Sequence, residues 1–167
     1  MPQYRVAVEK DYLVFASGHF ITYGGQCESL HGHNYRARVE LEGELDENHY
    51  VFDFGRLKKI MRRLCDELDH KVLLPLENPQ IRLTEEGDGI AVAYLSKRYV
   101  FPRQDVVLLP VPNTTAEMIA RYLAGRVRDE LAAQGVRHLR ALTVEVEESF
   151  GQSAEVEWRR DANPRLN

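Results

Sequence analysis

Over residues 34–42 the sequence alternates without a fault. Tyr35, Ala37, Val39 and Leu41 are apolar or aromatic, and Arg36, Arg38, Glu40 and Glu42 between them are charged. Successive side chains of a strand point to opposite faces, so this is the pattern of a strand with one covered face and one wet face. Any fold of this chain has to supply a layer that covers the first set.

Two amphipathic helices can supply it. After Asp53, a good N-cap, Leu57, Ile60, Met61, Leu64 and Leu68 recur at helical spacing, while Lys58, Lys59, Arg62 and Arg63 fall largely off that stripe. A capping box, Thr114-x-x-Glu117, opens a second helix. Its buried face is Met118, Ile119, Tyr122, Leu123, Val127 and Leu131, and Gly135 ends it. Residues 4–15 predict a strand whose apolar phase shifts from Tyr4, Val6 and Val8 to Leu13 and Phe15, with an irregularity near Lys10-Asp11. Residues 141–147 and 154–158 predict the last two strands. Between the helices, residues 82–86 and 90–94 flank a Gly87-Asp88-Gly89 turn, a hairpin pattern, and 106–109 form a further short strand.

The order predicts an α+β fold: a four-stranded antiparallel sheet with two helices on one face and an inserted hairpin at about residues 77–112. A chain of 167 residues suits one domain, here 1–167. Such a sheet has two open edges, which association with other copies would cover. A net charge of −4 argues against nucleic acid as a partner. No apolar run approaches the ~20 residues of a membrane helix. The opening Met1-Pro2-Gln3-Tyr4-Arg5 lacks the apolar region of a signal peptide, so the expected location is cytoplasmic. Two cysteines, Cys27 and Cys65, make no disulfide framework and are expected to be reduced thiols.

Chemistry concentrates around three of the six histidines. His31-Gly32-His33 opens the alternating strand, so both imidazoles point to one face. His19 ends the preceding strand, and a hairpin through residues 20–30 brings it back beside the pair. Three imidazoles form a tripod for Zn²⁺ with a fourth position open, the arrangement of a catalytic rather than a closed structural site. Cys27 lies in the connecting loop, where a thiol made acidic by nearby positive charge can serve as a base, or equally be a buried small hydrophobe or a metal ligand in place of one histidine. Cys65 sits mid-helix beside the apolar stripe and is expected to pack. Asp69-His70 ends the first helix. That pair fits a tautomer-fixing dyad, and equally a helix C-terminus with a favourably placed imidazolium. Period two along Leu142, Val144 and Val146 puts Glu148 on the inward phase, where a carboxylate needs a partner or a break in the strand. A pterin or guanine ring offers an adjacent N–H and amino group that a carboxylate accepts bidentately.

Together these residues resemble the 6-pyruvoyltetrahydropterin and 6-carboxytetrahydropterin synthase family. The matching pieces are His19, Cys27 with His31-Gly32-His33, Val51-Phe52-Asp53-Phe54, Leu68-Asp69-His70, Thr115-Ala116-Glu117 and Glu148-Ser149. The resemblance implies His19, His31 and His33 as zinc ligands, Cys27 as general base, and Asp69 with His70 as a second catalytic element. It also implies Glu148 as the anchor of the pterin ring, with the backbone near Thr115 shaping its pocket. The implied fold is the tunnelling fold, in which chains join their sheets into a barrel, here a homohexamer of two trimers with active sites between chains. Three residues between Cys27 and His31 resemble the bacterial 6-carboxytetrahydropterin branch of queuosine and deazapurine synthesis. That branch converts 7,8-dihydroneopterin triphosphate to 6-carboxytetrahydropterin, acetaldehyde and triphosphate. Glu28 is a departure. Some members carry glutamate in place of the cysteine and cleave the side chain to leave a 6-hydroxymethyl group for folate-type cofactors, and this chain has both residues. A catalytically silent pterin-binding scaffold is the reading from another class. Lys97, Arg98 and Arg103 in the insertion either meet a triphosphate or sit on a solvated hairpin.

Overall fold

The computed structural model describes residues 3–160. Its elements run β1 (Tyr4–His19), β2 (Thr22–Tyr23), β3 (Gln26–Cys27), β4 (His31–Gly43), α1 (Phe54–Leu68), β5 (Lys71–Pro75), β6 (Arg82–Glu86), β7 (Gly89–Tyr94), β8 (Lys97–Pro102), a 3₁₀ turn (Arg103–Asp105), β9 (Val106–Leu109), α2 (Ala116–Ala133), β10 (Leu139–Ser149) and β11 (Gln152–Arg159).

The main sheet has six strands in the order β11-β10-β4-β1-β5-β9. Its first four strands are antiparallel, whereas β5 joins β1 and β9 joins β5 in parallel. The expected four-stranded antiparallel sheet is therefore corrected to a six-stranded mixed one. The sequence hid β5 because Lys71–Pro75 is too short for alternation to show, and it follows a helix directly. The expected hairpin insertion is also larger: β6, β7 and β8 form a three-stranded antiparallel meander.

Both helices cover one face of the sheet, as expected. Leu13 and Phe15 of β1, Tyr35, Ala37, Val39 and Leu41 of β4, and Leu142, Val144 and Val146 of β10 meet Leu57, Met61, Leu64 and Leu68 of α1 and Ile119, Leu123 and Val127 of α2 in one buried cluster. The irregularity expected near Lys10-Asp11 is present, since the β1–β4 register shifts between Glu9 and Val14. This lets Val8 and Leu13, of opposite parity, share the covered face.

The other face is an ionic lattice. Arg38 lies near Glu9, Glu40 and Glu145, Arg36 near Glu147, and Arg5 and Arg159 flank the buried carboxylate of Glu42. A second small core lies under the meander, where Ile90, Val92 and Tyr94 pack with Phe20, Cys27, Leu74, Ile81 and Val106. No helix among the described residues is long and apolar enough to cross a membrane.

Candidate active site

The covered row of the sheet turns into chemistry at one end. In the β1–β4 register, Phe15 pairs with Tyr35, Ser17 with His33 and His19 with His31. The same phase that sends Phe15 and Tyr35 into the core therefore sends His19, His31 and His33 to that face beyond it. Gly18 faces Gly32 across the strands, between the two histidine-bearing pairs. The three rings form a nearly even triangle, with centroids 4.6 Å (His19–His31), 5.2 Å (His19–His33) and 5.0 Å (His31–His33) apart.

Hydrogen bonds fix how two of the rings are used. His19 Nδ1 donates to the Thr114 carbonyl at 2.7 Å, and His31 Nδ1 donates to the Ser29 carbonyl at 2.9 Å. Each Nδ1 then carries the proton, leaving Nε2 with its lone pair toward the common centre, the outer support that metal-ligating histidines need. The Tyr35 hydroxyl donates to His19 Nε2 at 3.3 Å. Burial, helped by the Glu148 charge, pushes the Tyr35 phenol far up, so it remains a donor. Burial also lowers the pKa of His19, ahead of the opposing hydrogen bond to Thr114, and favours the neutral imidazole that binds a metal.

Glu148 faces inward as its phase predicts, at the end of β10 where the pairing with β11 shifts register. Its carboxylate lies 3.0 Å from His33 Nε2 and 3.5 Å from His19 Nε2. His33 Nε2 thus gives this half-buried carboxylate a partner within the chain. One ligand atom from each of His19, His31, His33 and Glu148 falls within 4.8 Å of the other three, a set that suits a divalent metal ion. Neutral imidazoles with one carboxylate match the donor chemistry of zinc.

The four residues line a cleft of about 520 Å³, with Glu28, Thr115, Glu117 and Gln152 also on its walls. That is ample for a bicyclic ligand. Thr115 is the N-cap of α2, its hydroxyl accepting from the Met118 amide, so the helix opens beside the cleft with its favourable end for negative charge. The expected cap was Thr114. That residue is instead fully buried and donates its hydroxyl proton to the Phe20 carbonyl at 3.0 Å.

Three expected participants, Cys27, Asp69 and His70, do not line the cleft within this chain. Cys27 is buried in the small core under the meander, and burial raises its thiol pKa despite the opposing charge of Lys97. Its neighbour Glu28 lines the cleft instead, with a carboxylate oxygen 3.9 Å from His31 Nε2. His70, with Asp69 beside it, lines a separate, open cleft together with Ser17, Asn34, Lys71 and Asp105, which shares only His33 with the first. The dyad itself is well made, with Asp69 2.8 Å from His70 Nδ1 and accepting from the Ala16 amide at 2.7 Å. Partial burial acts to raise the Asp69 pKa, but the Ala16 and His70 hydrogen bonds outweigh it and hold the carboxyl below its usual range. Of the basic residues in the insertion, Lys97 donates to the Cys27 and Glu28 carbonyls and Arg98 pairs with Glu86. Sequence reasoning missed Tyr35, Thr114 and Lys97 as supports of the site, because all three act through contacts distant in sequence or through backbone atoms.

The sequence pattern of the 6-pyruvoyl tetrahydropterin synthase family matches residues 8–159. A Methanocaldococcus jannaschii protein named provisionally as a 6-carboxy-5,6,7,8-tetrahydropterin synthase is 37% identical over 143 residues, covering 85% of this chain and 88% of that one. A Haemophilus influenzae 6-carboxy-5,6,7,8-tetrahydropterin synthase is 30% identical over 121 residues, or 68% of this chain and 77% of its own. Among solved structures, Plasmodium vivax 6-pyruvoyltetrahydropterin synthase superposes with a TM-score of 0.90 at 29% identity, covering 96% of this chain and all of that one. That structure is described as a catalytic-residue mutant in which a glutamate is replaced by alanine.

Proposed function

The chain belongs to the 6-pyruvoyl tetrahydropterin synthase family, and on that premise we propose that it is a zinc-dependent lyase acting on the C6 side chain of 7,8-dihydroneopterin triphosphate. The observation that carries the proposal is the convergence of His19, His31 and His33 with Glu148 in an open cleft.

His19, His31 and His33 would hold the ion through Nε2. Zinc bound there supplies Lewis acidity toward side-chain hydroxyls. Glu148 exchanges its imidazole contacts for the N–H and amino edge of the pterin ring and so orients the ring. The N-terminus of α2 at Thr115 shapes the pocket for it. Asp69 and His70, which stand apart from the cleft of their own chain, would serve the cleft of a neighbouring copy in a homohexamer.

The relatives named as 6-carboxy-5,6,7,8-tetrahydropterin synthases support 6-carboxytetrahydropterin as the product; acetaldehyde and triphosphate would leave with it, on a route to queuosine and other deazapurines. Cys27 is the base for that chemistry and has to turn out of the small core to act. A second reading is favoured by Glu28, which already lines the cleft. There the Glu28 carboxylate takes the proton of the second side-chain hydroxyl as the bond between the first and second side-chain carbons breaks. The pterin keeps a 6-hydroxymethyl group after gaining a proton, and the remaining carbons leave as a phosphorylated aldehyde. Catalytic silence has no support in a cleft whose titratable groups are arranged this way.

Mass spectrometry of the products formed from dihydroneopterin triphosphate decides among these readings. Cys27→Ala is expected to abolish the 6-carboxy product with zinc still stoichiometric, and loss of zinc would show that Cys27 is a ligand instead. Glu28→Gln is expected to abolish the 6-hydroxymethyl product and spare the 6-carboxy one. Unchanged substrate with the wild-type, zinc-loaded protein would refute both readings.

A further inference from the structure

The loop that joins the metal-binding strands is held from outside. Four side chains between residues 78 and 113 reach it. Asn78 Nδ2 donates to Thr22 Oγ1 at 2.9 Å, and Asn113 Nδ2 donates to the Thr22 carbonyl at 2.9 Å. The Tyr94 hydroxyl donates to the Gly25 carbonyl at 2.5 Å. The Lys97 ammonium donates to the Cys27 carbonyl at 2.6 Å and to the Glu28 carbonyl at 3.2 Å. Tyr94 and Lys97 pair across the β7–β8 turn, so the tip of the meander delivers both.

The consequence lies in which side chain faces the cleft. Cys27 and Glu28 are adjacent, and here they point opposite ways: the thiol into the small core with Ile90, Val92 and Tyr94, the carboxylate into the cleft. To exchange them, the two peptides whose carbonyls Lys97 holds must rotate. That strands a half-buried ammonium, which costs more than losing a neutral hydrogen bond.

We propose that Lys97, assisted by Tyr94, is a positioning residue that keeps Glu28 in the cleft and Cys27 out of it, and so sets which of the two proton-transfer chemistries the site performs. The chemical half of this rests on the pterin reading above; the geometric half does not.

The test compares zinc-loaded wild type with Lys97→Met, Lys97→Arg and Tyr94→Phe. Deuterium exchange of the 25–29 segment reads the loop, and the ratio of 6-carboxy to 6-hydroxymethyl product reads the chemistry. Lys97→Met is expected to speed exchange about tenfold and to raise the product ratio severalfold. Lys97→Arg restores both values, and Tyr94→Phe, which leaves the ammonium in place, gives a smaller shift in the same direction. Unchanged exchange overturns the proposal. Faster exchange with both products falling in proportion also overturns it, because Lys97 is then only a structural brace. If wild type forms neither product, the pterin reading fails, and alkylation of Cys27 in a Cys65→Ala background decides the geometry: faster labelling with Lys97→Met supports the positioning role, and equal labelling refutes it.

Discussion

At the scale of single residues, the site depends on parity and on close approach. Because β1 and β4 carry their histidines on the phase already committed to the core, the three imidazoles were legible in the sequence before any coordinates. Gly32 matters for the opposite reason, since a Cβ there would lie 3.0 Å from the Ser17 carbonyl oxygen. Gly32→Ala is expected to push the paired strands apart between the ligands and weaken zinc binding roughly tenfold, measured by competition with a chelating dye. Cys27 and Glu28 could not be assigned by parity. Their loop passes through Gly24 and Gly25, both at positive φ, and phase does not carry through such a turn. Cys65 behaves as expected and is fully buried, with burial pushing its thiol up to about 12. The folded state therefore resists losing this proton while the unfolded chain releases it near pH 9, so stability is intact below that pH and falls as pH rises toward 12. Denaturant titrations of wild type should lose about 1 kcal/mol per pH unit more than Cys65→Ala does across this window.

At the scale of elements, the helices were readable and their cover of one sheet face followed. The Asp53 cap is realised, with Oδ1 accepting from the Arg56 amide at 2.7 Å. The second cap was displaced by one residue, because two adjacent threonines offer the same hydroxyl and sequence does not say which one is buried. Thr115→Ala should cost about 1 kcal/mol of stability in chemical denaturation, the usual worth of an N-cap. Thr114→Ala should cost more, since it leaves the buried Phe20 carbonyl without its hydroxyl donor. Four strands escaped notice in the sequence: β2 and β3 are two residues each, and β5 and β8 are five and six residues long. In β8 the alternation of half-buried Lys97, Tyr99 and Phe101 with exposed partners carries a lysine on the inward phase. That lysine is used for the loop carbonyls, and a hydrophobic pattern search passes over it.

At the scale of the whole molecule, the charged face has to be explained as well as the covered one. Arginines and glutamates interleave across β1, β4, β10 and β11 there, so pairing satisfies much of the charge locally and leaves that face polar. Sedimentation equilibrium is expected to give six chains, and chelation of the zinc is expected to lower the melting temperature by about 5 °C or more without dissociating them. A monomer in that experiment would leave Asp69 and His70 without a cleft to serve. The mixed sheet also contains a seam. Its antiparallel part is zipped along long registers, whereas β5 meets β1 through only two residue pairs, Ser17 with Lys71 and Gly18 with Val72. On one side of that seam stand the three imidazoles; on the other stand β5, β9 and the meander with Lys97. A join of two residue pairs is weaker than its neighbours, so the sheet is expected to open along this line before its antiparallel part does. Such an opening would slacken the grip on residues 25–29 while β1 and β4, which carry the three histidines, stayed paired, so on the reading proposed above the side chain facing the cleft could change with the histidine-bearing strands intact.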